Sequence, residues 1–372
     1  MAYLTSNNII TSLGTDTLEV IANIERGTTG ISFDHPFAKF TRAPISLVNF
    51  ERIKNELSQS YSEHDFTNFE RLVALSLDKT LTTSKINTGS KKTLFILSTT
   101  KGNIELLKPG IQPSEQIHLH NTANKIAKLF GFINPPIVVC NACISGVLAL
   151  IIANRYIENK KYSTVVVTGA DVVTDFVVAG FESFKSMSES PCRPFDSNRD
   201  GLSLGEGAGT LIVSKFKEPD SIKLVGGASA NDANHISGPS RTGEGLYLSA
   251  SHTLPENQQI DFISAHGTAT PYNDDMESHA INRLSLSHVP VNSFKAYFGH
   301  TLGAAGIIET IVTKQSMLNG ILYRSLGVET PGVASPLNIV RQNQEKSLHR
   351  CLKLSSGFGG CNAAILLEKD AG

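Results

Sequence analysis

One order of predicted elements occurs twice along this chain, and this repetition constrains the fold more than any single motif does. Each half contains short, continuously apolar runs, which are typical of strands in a sheet that helices cover on both faces. The runs are Thr93–Ser98, Ile137–Cys140, Thr164–Thr168 and Gly207–Ser214, then Lys223–Gly226, Gln259–Ala265, Val289–Asn292, Leu352–Ser356 and Ala363–Leu367. The sequence therefore predicts an α/β protein with duplicated halves, 1–217 and 218–372.

Helices are predicted between these runs. Helical character is found over Gln116–Phe130, over Cys143–Glu158 and in a segment that ends at Leu318. Residues 30–66 show the least regular pattern, so we expect a surface excursion there.

Composition narrows the class of protein. The 372 residues are 40% hydrophobic, enough for a large core, and a net charge of -1 gives no strong attraction to nucleic acid or membrane. We read no signal peptide at the N-terminus, and the longest apolar stretch, 147–153, is too short to span a bilayer. The five cysteines show no disulfide-framework spacing, which favours a cytoplasmic protein with reduced thiols.

Cys143 lies where a predicted strand meets a predicted helix. The positive end of a helix dipole favours thiolate over thiol, and such a corner projects its side chain out of the sheet. Ser145 and Gly146 keep this corner small. The alternative is an ordinary core cysteine, because free cysteine is among the most buried residue types.

Two histidines occupy similar turns in the second half. His266 directly follows a strand, and His300 precedes a helix that starts with the small residues 303–306. Because ligands collect at the carboxyl ends of such strands, we expect both imidazoles in one cavity. A cysteine and two histidines suit thioester chemistry: the thiolate takes up an acyl group, and the imidazoles stabilise the oxyanion formed when a malonyl group loses carbon dioxide. Backbone N–H groups of Cys143 and of the turn 357–360 are candidates for a second oxyanion site.

Five motifs occur in one order along the chain: NACISG, RPFDSNRDGLSLGEGAG, HGTATPYND, FKAYFGHTLGAAG and GFGGCN. Together they resemble the elongating β-ketoacyl-acyl carrier protein synthases, over most of the chain from about residue 90 onward. The resemblance implies the thiolase-like, five-layered α-β-α-β-α fold made of two duplicated halves.

The resemblance also implies roles for individual residues. Cys143 matches the nucleophile, and His266 and His300 match the pair that assists decarboxylation. Lys295 and Glu309 match the family's lysine and acid, which organise the histidine site rather than touch the substrate.

Four further positions follow from the same resemblance. Asp274 is expected to hold the loop after His266, and Phe358 matches a gating aromatic. Phe181 is expected to line the acyl pocket, as is Ile144, which stands where the family often has a small hydroxyl residue. Because the chain is shorter than usual before the nucleophile, acyl length is left open, as is the choice between fatty acid and polyene or polyketide synthesis.

The implied partner is an acidic acyl carrier protein, which presents acyl and malonyl thioesters on a phosphopantetheine arm. Lys185 is a candidate for steering it. A homodimer or heterodimer is expected through a central strand near Val165–Thr168. The reaction needs no redox cofactor and no metal.

Three alternatives stay open at this point. The chain could be a non-catalytic subunit that resembles a chain length factor, although such partners typically lose the cysteine that is kept here. A thiolase would need a second cysteine, and Cys361 is the candidate. A cysteine-dependent hydrolase is the weakest option, because nothing obvious positions a water.

Overall fold

Strands and helices alternate along the computed structural model, which describes residues 1–37, 39, 41–61, 65–108, 110–255 and 259–370. The strands are β1 Ala2–Ile10, β2 Ile31–Ser32, β3 Ile45–Ser46, β4 Thr93–Ser98, β5 Ile137–Val139, β6 Thr164–Asp171, β7 Gly207–Ser214, β8 Ile222–Asn231, β9 Phe262–Ser264, β10 Pro290–Asn292, β11 Ile321–Leu322, β12 Asn338–Ile339, β13 Gln344–Glu345, β14 Arg350–Gly357 and β15 Cys361–Glu368. The helices are α1 Thr17–Arg26, α2 Phe50–Tyr61, α3 Asn68–Thr82, α4 Leu119–Leu129, α5 Ser145–Glu158, α6 Asp175–Ser183, α7 Glu244–Ser251, α8 Pro271–Arg283, α9 Lys295–Phe298 and α10 Ala305–Asn319. Within these ranges, no helix has the length and apolar character needed to cross a lipid bilayer.

The duplication is visible in the strand order. The first half runs β1-β7-β6-β4-β5 and the second runs β8-β15-β14-β9-β10, which is the same order when strands are counted within each half. In both halves the first two pairings are antiparallel and the last two are parallel. Pairing of β1 with β8 joins the halves, and β12 adds one strand beyond β10. The predicted duplicated α/β fold is confirmed, and the proposed boundary at 217/218 falls in the segment between β7 and β8.

Three apolar clusters define the layers. One fills the space between the halves and takes side chains from α5 and α10. A second lies between the first sheet and α2, α3 and α4, and a third lies between the second sheet and α7 and α8. The result is the expected five-layered α-β-α-β-α arrangement, with α5 and α10 as the central layer.

The two central helices approach each other very closely. A Cβ on Gly146 of α5 would lie 2.8 Å from the backbone nitrogen of Ile307, and one on Gly306 of α10 would lie 2.5 Å from that of Val147. Real Cβ contacts are not this short, so the crossing requires glycine at both positions. The run of small residues 303–306 thus has the packing role that its composition indicates.

Some elements were absent from the sequence prediction. The polar residues of β1 (AYLTSNNII) obscure the pattern of apolar residues that predicts a strand. The strand nevertheless pairs with β7 and β8, and its pairing with β7 has a register shift between Leu4 and Asn7. The span 30–66, predicted as irregular, contains α2, whose Ile53 and Leu57 are buried. Residues 38, 40 and 62–64 of that span lie outside the described residues.

The prediction that two chains pair through a strand near Val165–Thr168 is wrong. Val165–Thr168 belongs to β6, which pairs with β4 on one side and β7 on the other, so its backbone groups are already used within the chain. In the first half, the strand at the outer edge is β5, and within the described residues it pairs only with β4.

Candidate active site

The structure brings Cys143, His266 and His300 together from loops that follow β5, β9 and α9. The Nε2 atom of His300 lies 3.1 Å from the Cys143 sulfur. The two imidazole rings are 5.2 Å apart at an interplanar angle of 84°. The cysteine sulfur and one ring nitrogen of each histidine all lie within 4.8 Å of one another, and all three residues are buried. The convergence expected from the sequence is therefore present.

A strained corner places the cysteine. Ala142 has a φ of 44°, in the left-handed region that residues with a Cβ seldom adopt. The Ser145 hydroxyl holds this corner closed: it accepts from the Asn141 nitrogen (2.8 Å) and donates to the Ala142 oxygen (2.6 Å). The Ser355 hydroxyl donates to the Cys143 oxygen (3.2 Å), which ties the corner to β14 in the other half.

The charge state of the thiol differs from the sequence expectation. Burial raises the pKa of Cys143 to about 11, while Lys295, Lys101 and the backbone N–H of Phe358 act in the opposite direction. Helix α5 begins only at Ser145, two residues later. Desolvation therefore outweighs the charges that favour thiolate, and the surroundings of Cys143 favour the neutral thiol.

Hydrogen bonds fix the tautomer of both histidines. The backbone N–H of Leu302 donates to Nδ1 of His300 (3.3 Å), and the Lys295 ammonium contacts Nδ1 of His266 (3.4 Å). A nitrogen that accepts a proton cannot also carry one in a neutral imidazole, so each ring has its proton on Nε2. Both Nε2–H groups are therefore donors.

The two imidazoles are uncharged. Burial holds the pKa of His266 and of His300 well below the usual range, and the neighbouring Lys295 and Lys353 lower both pKa values further. A neutral ring with Nε2–H is the form that can donate to a developing oxyanion without first losing a proton.

Lys295 and Glu309 support His266. The Lys295 ammonium donates to the His266 carbonyl oxygen and to the Glu309 carboxylate, each at 2.6 Å. Asp274 accepts from the backbone N–H groups of Thr268 (3.0 Å) and Phe195 (2.7 Å), so it holds the loop after His266, as expected.

Phe358 stands beside the cysteine in the turn between β14 and β15. Its ring stacks on Phe181 at 5.5 Å and meets the edge of Phe184 at 5.2 Å. The preceding Gly357 permits this approach, because a Cβ there would lie 3.0 Å from the Cys143 nitrogen. The turn thus lies against Cys143, and the backbone N–H of Phe358 interacts with the thiol.

A cavity of about 940 Å³ reaches these groups from the surface. Its walls include the three central side chains as well as Phe181, Phe358 and Lys185, together with Asn234 and His235 of the loop before α7. Ile144 was expected to line the acyl pocket, and the structure places it elsewhere. It is 1% exposed and packs in the cluster between the halves, because the residue after the cysteine points away from the cavity at this corner.

Sequence reasoning missed three buried charged residues near the site. Glu277 accepts from the N–H groups of His266 (2.7 Å) and Gly267 (2.6 Å), and it lies three residues after Asp274 on the same helix. Asp171 accepts from the Gly303 N–H (2.7 Å) and follows the apolar run TVVVT. Lys353 interrupts the run CLKL in β14. A single charged residue within or beside an apolar strand is the sequence signal that marks Asp171 and Lys353.

The cysteine and the two histidines are close enough to hold a metal ion such as Zn²⁺. The hydrogen bonds at the other nitrogen of each histidine ring do not suit metal binding. A ligating Nε2 needs its lone pair free and a proton on Nδ1, but Nδ1 of each ring faces a donor, Lys295 or the Leu302 N–H. The geometry favours Nε2–H donors over metal ligands.

Two family profiles match consecutive parts of the chain. "Beta-ketoacyl synthase, N-terminal domain" matches residues 81–218, and "Beta-ketoacyl synthase, C-terminal domain" matches residues 223–329. Together they cover more than half of the chain. The chain belongs to the β-ketoacyl synthase family. Members of this family are acyltransferases.

Curated relatives agree with this β-ketoacyl synthase assignment. A putative mitochondrial 3-oxoacyl-[acyl-carrier-protein] synthase of Schizosaccharomyces pombe is 29% identical over 296 residues, which cover 72% of this chain and 69% of the relative. The 3-oxoacyl-[acyl-carrier-protein] synthase 2 of Rhizobium meliloti is 31% identical over 256 residues, which cover 63% and 61%. The match spans about two thirds of the length of each relative.

Solved structures with this fold include ketosynthases that are paired with other chains. The ishigamide ketosynthase/chain length factor superposes with a TM-score of 0.88 at 23% identity and covers 100% of this chain and 99% of that one. A ketosynthase in complex with its chain length factor from Xenorhabdus doucetiae gives 0.84 at 23% identity, over 99% and 98%. At this level of identity, the superpositions establish the ketosynthase fold.

Proposed function

We propose that this chain is an elongating 3-oxoacyl-[acyl-carrier-protein] synthase. It joins an acyl group held on Cys143 to malonyl-acyl carrier protein with loss of carbon dioxide. The observation that carries this proposal is the convergence of one thiol and two Nε2–H donors on a single cavity, where the His300 Nε2 atom lies 3.1 Å from the Cys143 sulfur.

Acyl transfer is the first step. The Cys143 sulfur attacks the thioester carbonyl of the acyl carrier protein, a new thioester forms, and the bond to the pantetheine sulfur breaks. The proton of the Cys143 thiol ends on the released pantetheine thiol. The His300 Nε2–H, 3.1 Å from the sulfur, stabilises negative charge on it during the attack.

Decarboxylation and condensation follow in the same place. Malonyl thioester loses carbon dioxide, and the electron pair moves into an enolate whose oxygen receives the two Nε2–H groups of His266 and His300. The enolate carbon attacks the acyl carbonyl on Cys143. The tetrahedral oxygen formed there lies by the N–H groups of Cys143 and Phe358. Its collapse releases the 3-oxoacyl thioester and the Cys143 thiolate, which takes up a proton from solvent.

The cavity suits a phosphopantetheine arm. Its walls carry small polar side chains, among them Thr268 and Thr270, which can bond the amides of the arm. Lys185 at the mouth is exposed and available to an acidic carrier protein. The five cysteines are all free thiols, in keeping with a cytoplasmic enzyme.

The alternatives fit less well. Cys361, the thiol that a thiolase would need, donates to the Phe358 oxygen at 3.3 Å, and burial raises its pKa to about 12. It does not belong to the described residues that line the cavity. A non-catalytic subunit has no use for the Cys143–His300 contact. Since solved structures of this fold pair a ketosynthase with a chain length factor, both a homodimer and a heterodimer are compatible with the proposal.

Intact-mass analysis after incubation with a panel of acyl-carrier proteins tests the proposal. We expect the wild-type chain to gain one acyl group and, after malonyl-carrier protein is added, to release a 3-oxoacyl product. Cys143→Ala should gain no acyl group and lose condensation at least ~10³-fold, whereas Cys361→Ala should keep both. Acylation that persists in Cys143→Ala, or product formed without release of carbon dioxide, refutes it.

A further inference from the structure

A second buried lysine lies behind the histidine site, and the steps above do not use it. Lys353 is in β14 and is 0% exposed. Its ammonium donates to the carbonyl oxygens of Leu354 (2.7 Å) and Ala265 (3.0 Å), and it forms an ion pair with the Glu309 carboxylate at 2.6 Å. A third acceptor is the Ser264 carbonyl oxygen (3.4 Å), so three carbonyl oxygens match the three hydrogens of the ammonium group.

Glu309 therefore lies between two lysines. Its Oε1 contacts Lys295 and its Oε2 contacts Lys353, each at 2.6 Å. One carboxylate compensates one ammonium, so this buried cluster carries an excess of one positive charge when both lysines are protonated. Burial lowers the pKa of Lys353, and the carboxylates of Glu309 and Glu277 act in the opposite direction. Burial raises the pKa of Glu277 to about 7, which favours the neutral form of this second carboxyl.

The same lysines hold the backbone before and at His266. Lys353 donates to the oxygen of Ala265, and Lys295 donates to the oxygen of His266 itself. Glu277 holds the His266 nitrogen from the opposite side. The position of the imidazole thus depends on both lysines, although only Lys295 reaches the ring.

We propose that Lys353 is a positioning residue for the decarboxylation step: acting through Glu309 and the Ala265–His266 backbone, it supplies the excess positive charge that stabilises the enolate at His266 and His300. Lys353 touches neither Cys143 nor the acyl group. Its effect therefore falls on the step in which negative charge develops at the histidines, and acyl transfer to Cys143 is largely independent of it. This inference rests on the proposed ketosynthase function.

The test measures the two partial reactions separately in the full-length chain. Acyl loading of Cys143 is followed by intact mass, and decarboxylation is followed as carbon dioxide released from malonyl-carrier protein. In Lys353→Met we expect decarboxylation to slow on the order of 10- to 100-fold, with acyl loading within about threefold of wild type. Lys314→Met is the matched control, because Lys314 is also buried but donates to the Thr5 oxygen (2.8 Å), away from the site. It should leave the ratio of the two rates unchanged.

A double variant separates charge from packing. Lys353→Met removes the excess positive charge, and adding Glu309→Gln restores it by removing the carboxylate. We therefore expect the double variant to regain at least about threefold in decarboxylation over Lys353→Met. If Lys353→Met does not fold, the double variant is compared with Glu309→Gln and should decarboxylate more slowly, because it has one positive charge fewer.

Two results overturn the inference: equal slowing of both partial reactions in Lys353→Met, or a double variant no faster than the single one. Either would make Lys353 a residue of core packing. Failure of the proposed function looks different, because then the wild-type chain itself releases no carbon dioxide from malonyl-carrier protein.

Discussion

Cys143 has a direct contact with only one of the two histidines. The His300 Nε2 atom is 3.1 Å from the sulfur, whereas the contact of the His266 ring is with the Lys295 ammonium, 3.4 Å from its Nδ1 atom. Replacing His300 by Ala should therefore slow both acyl loading and decarboxylation, and replacing His266 by Ala should slow chiefly decarboxylation. We expect ~10²- to 10³-fold for decarboxylation in each variant, the usual effect of removing one oxyanion donor.

Single-turnover measurements of the two partial reactions check this prediction. His279→Ala is a suitable control, since His279 lies on the same cavity but bonds the Ser335 hydroxyl (2.9 Å). It should change both rates by less than about threefold. Equal loss of acyl loading in the two central variants would contradict the assignment of different contacts.

At the residue scale, sequence reasoning found side chains that stand in recognisable turns. Cys143, His266 and His300 each follow a strand and precede a helix or turn rich in small residues, so their convergence could be predicted. Ile144 could not be placed in this way, because one residue along a tight corner reverses the direction of a side chain. It belongs to the apolar cluster between the halves, whose members come from both halves of the chain.

The crossing of α5 and α10 governs where the cysteine corner lies, because α5 begins two residues after Cys143. In Gly146→Ala, the new methyl group would lie 2.8 Å from the Ile307 nitrogen, which is backbone and cannot move aside alone. We expect a loss of about 1–3 kcal/mol in the free energy of unfolding and slower acyl loading, because the helices must separate. Urea titration and intact mass measure the two effects.

Gly180→Ala is the matched control. Gly180 lies inside α6, and a Cβ there meets nothing within 4 Å. The substitution should leave acyl loading unchanged and raise stability by up to about 1 kcal/mol, since Ala favours a helix more than Gly does. The crossing would not be a tight constraint if Gly146→Ala and Gly180→Ala gave the same stability.

At the element scale, the continuously apolar strands were predictable and the central strand with polar residues was not. β4, β6 and β7 are buried along their whole length and read as continuous apolar runs. β1 is just as central but contains Asn7 and Asn8, and its burial depends on partners about 200 residues away in the sequence. A local sequence pattern does not reveal partners that are so distant along the chain.

The whole molecule places its chemistry where the two halves meet. The first half supplies Cys143, and the second supplies both histidines, Lys295, Lys353 and Phe358. The Ser355 hydroxyl of the second half donates to the Cys143 oxygen of the first, so neither half contains a complete site. Strands β5 and β10 are equivalent in the two halves, and the segments after them bring Cys143 and His300 within 3.1 Å of each other, so a repeat visible in the sequence also predicted a shared cavity.

One edge of the first sheet is available for assembly, and this gives the last prediction. β5 pairs only with β4 among the described residues, and its Ile137 and Val138 are half-buried. An unpaired edge next to the cysteine corner suits pairing with a second copy about a two-fold axis.

We expect analytical ultracentrifugation to give a mass of twice the 40.0 kDa of one chain. Ile137→Lys should shift this mass toward that of the monomer. It should also slow acyl loading, because the cysteine corner directly follows β5. Ile133→Lys makes the same change at a residue that is 54% exposed and precedes the strand, so it should leave the dimer intact. A wild-type chain that is monomeric at micromolar concentration, or an Ile137→Lys variant as dimeric as Ile133→Lys, would show that this edge does not join two copies of the chain.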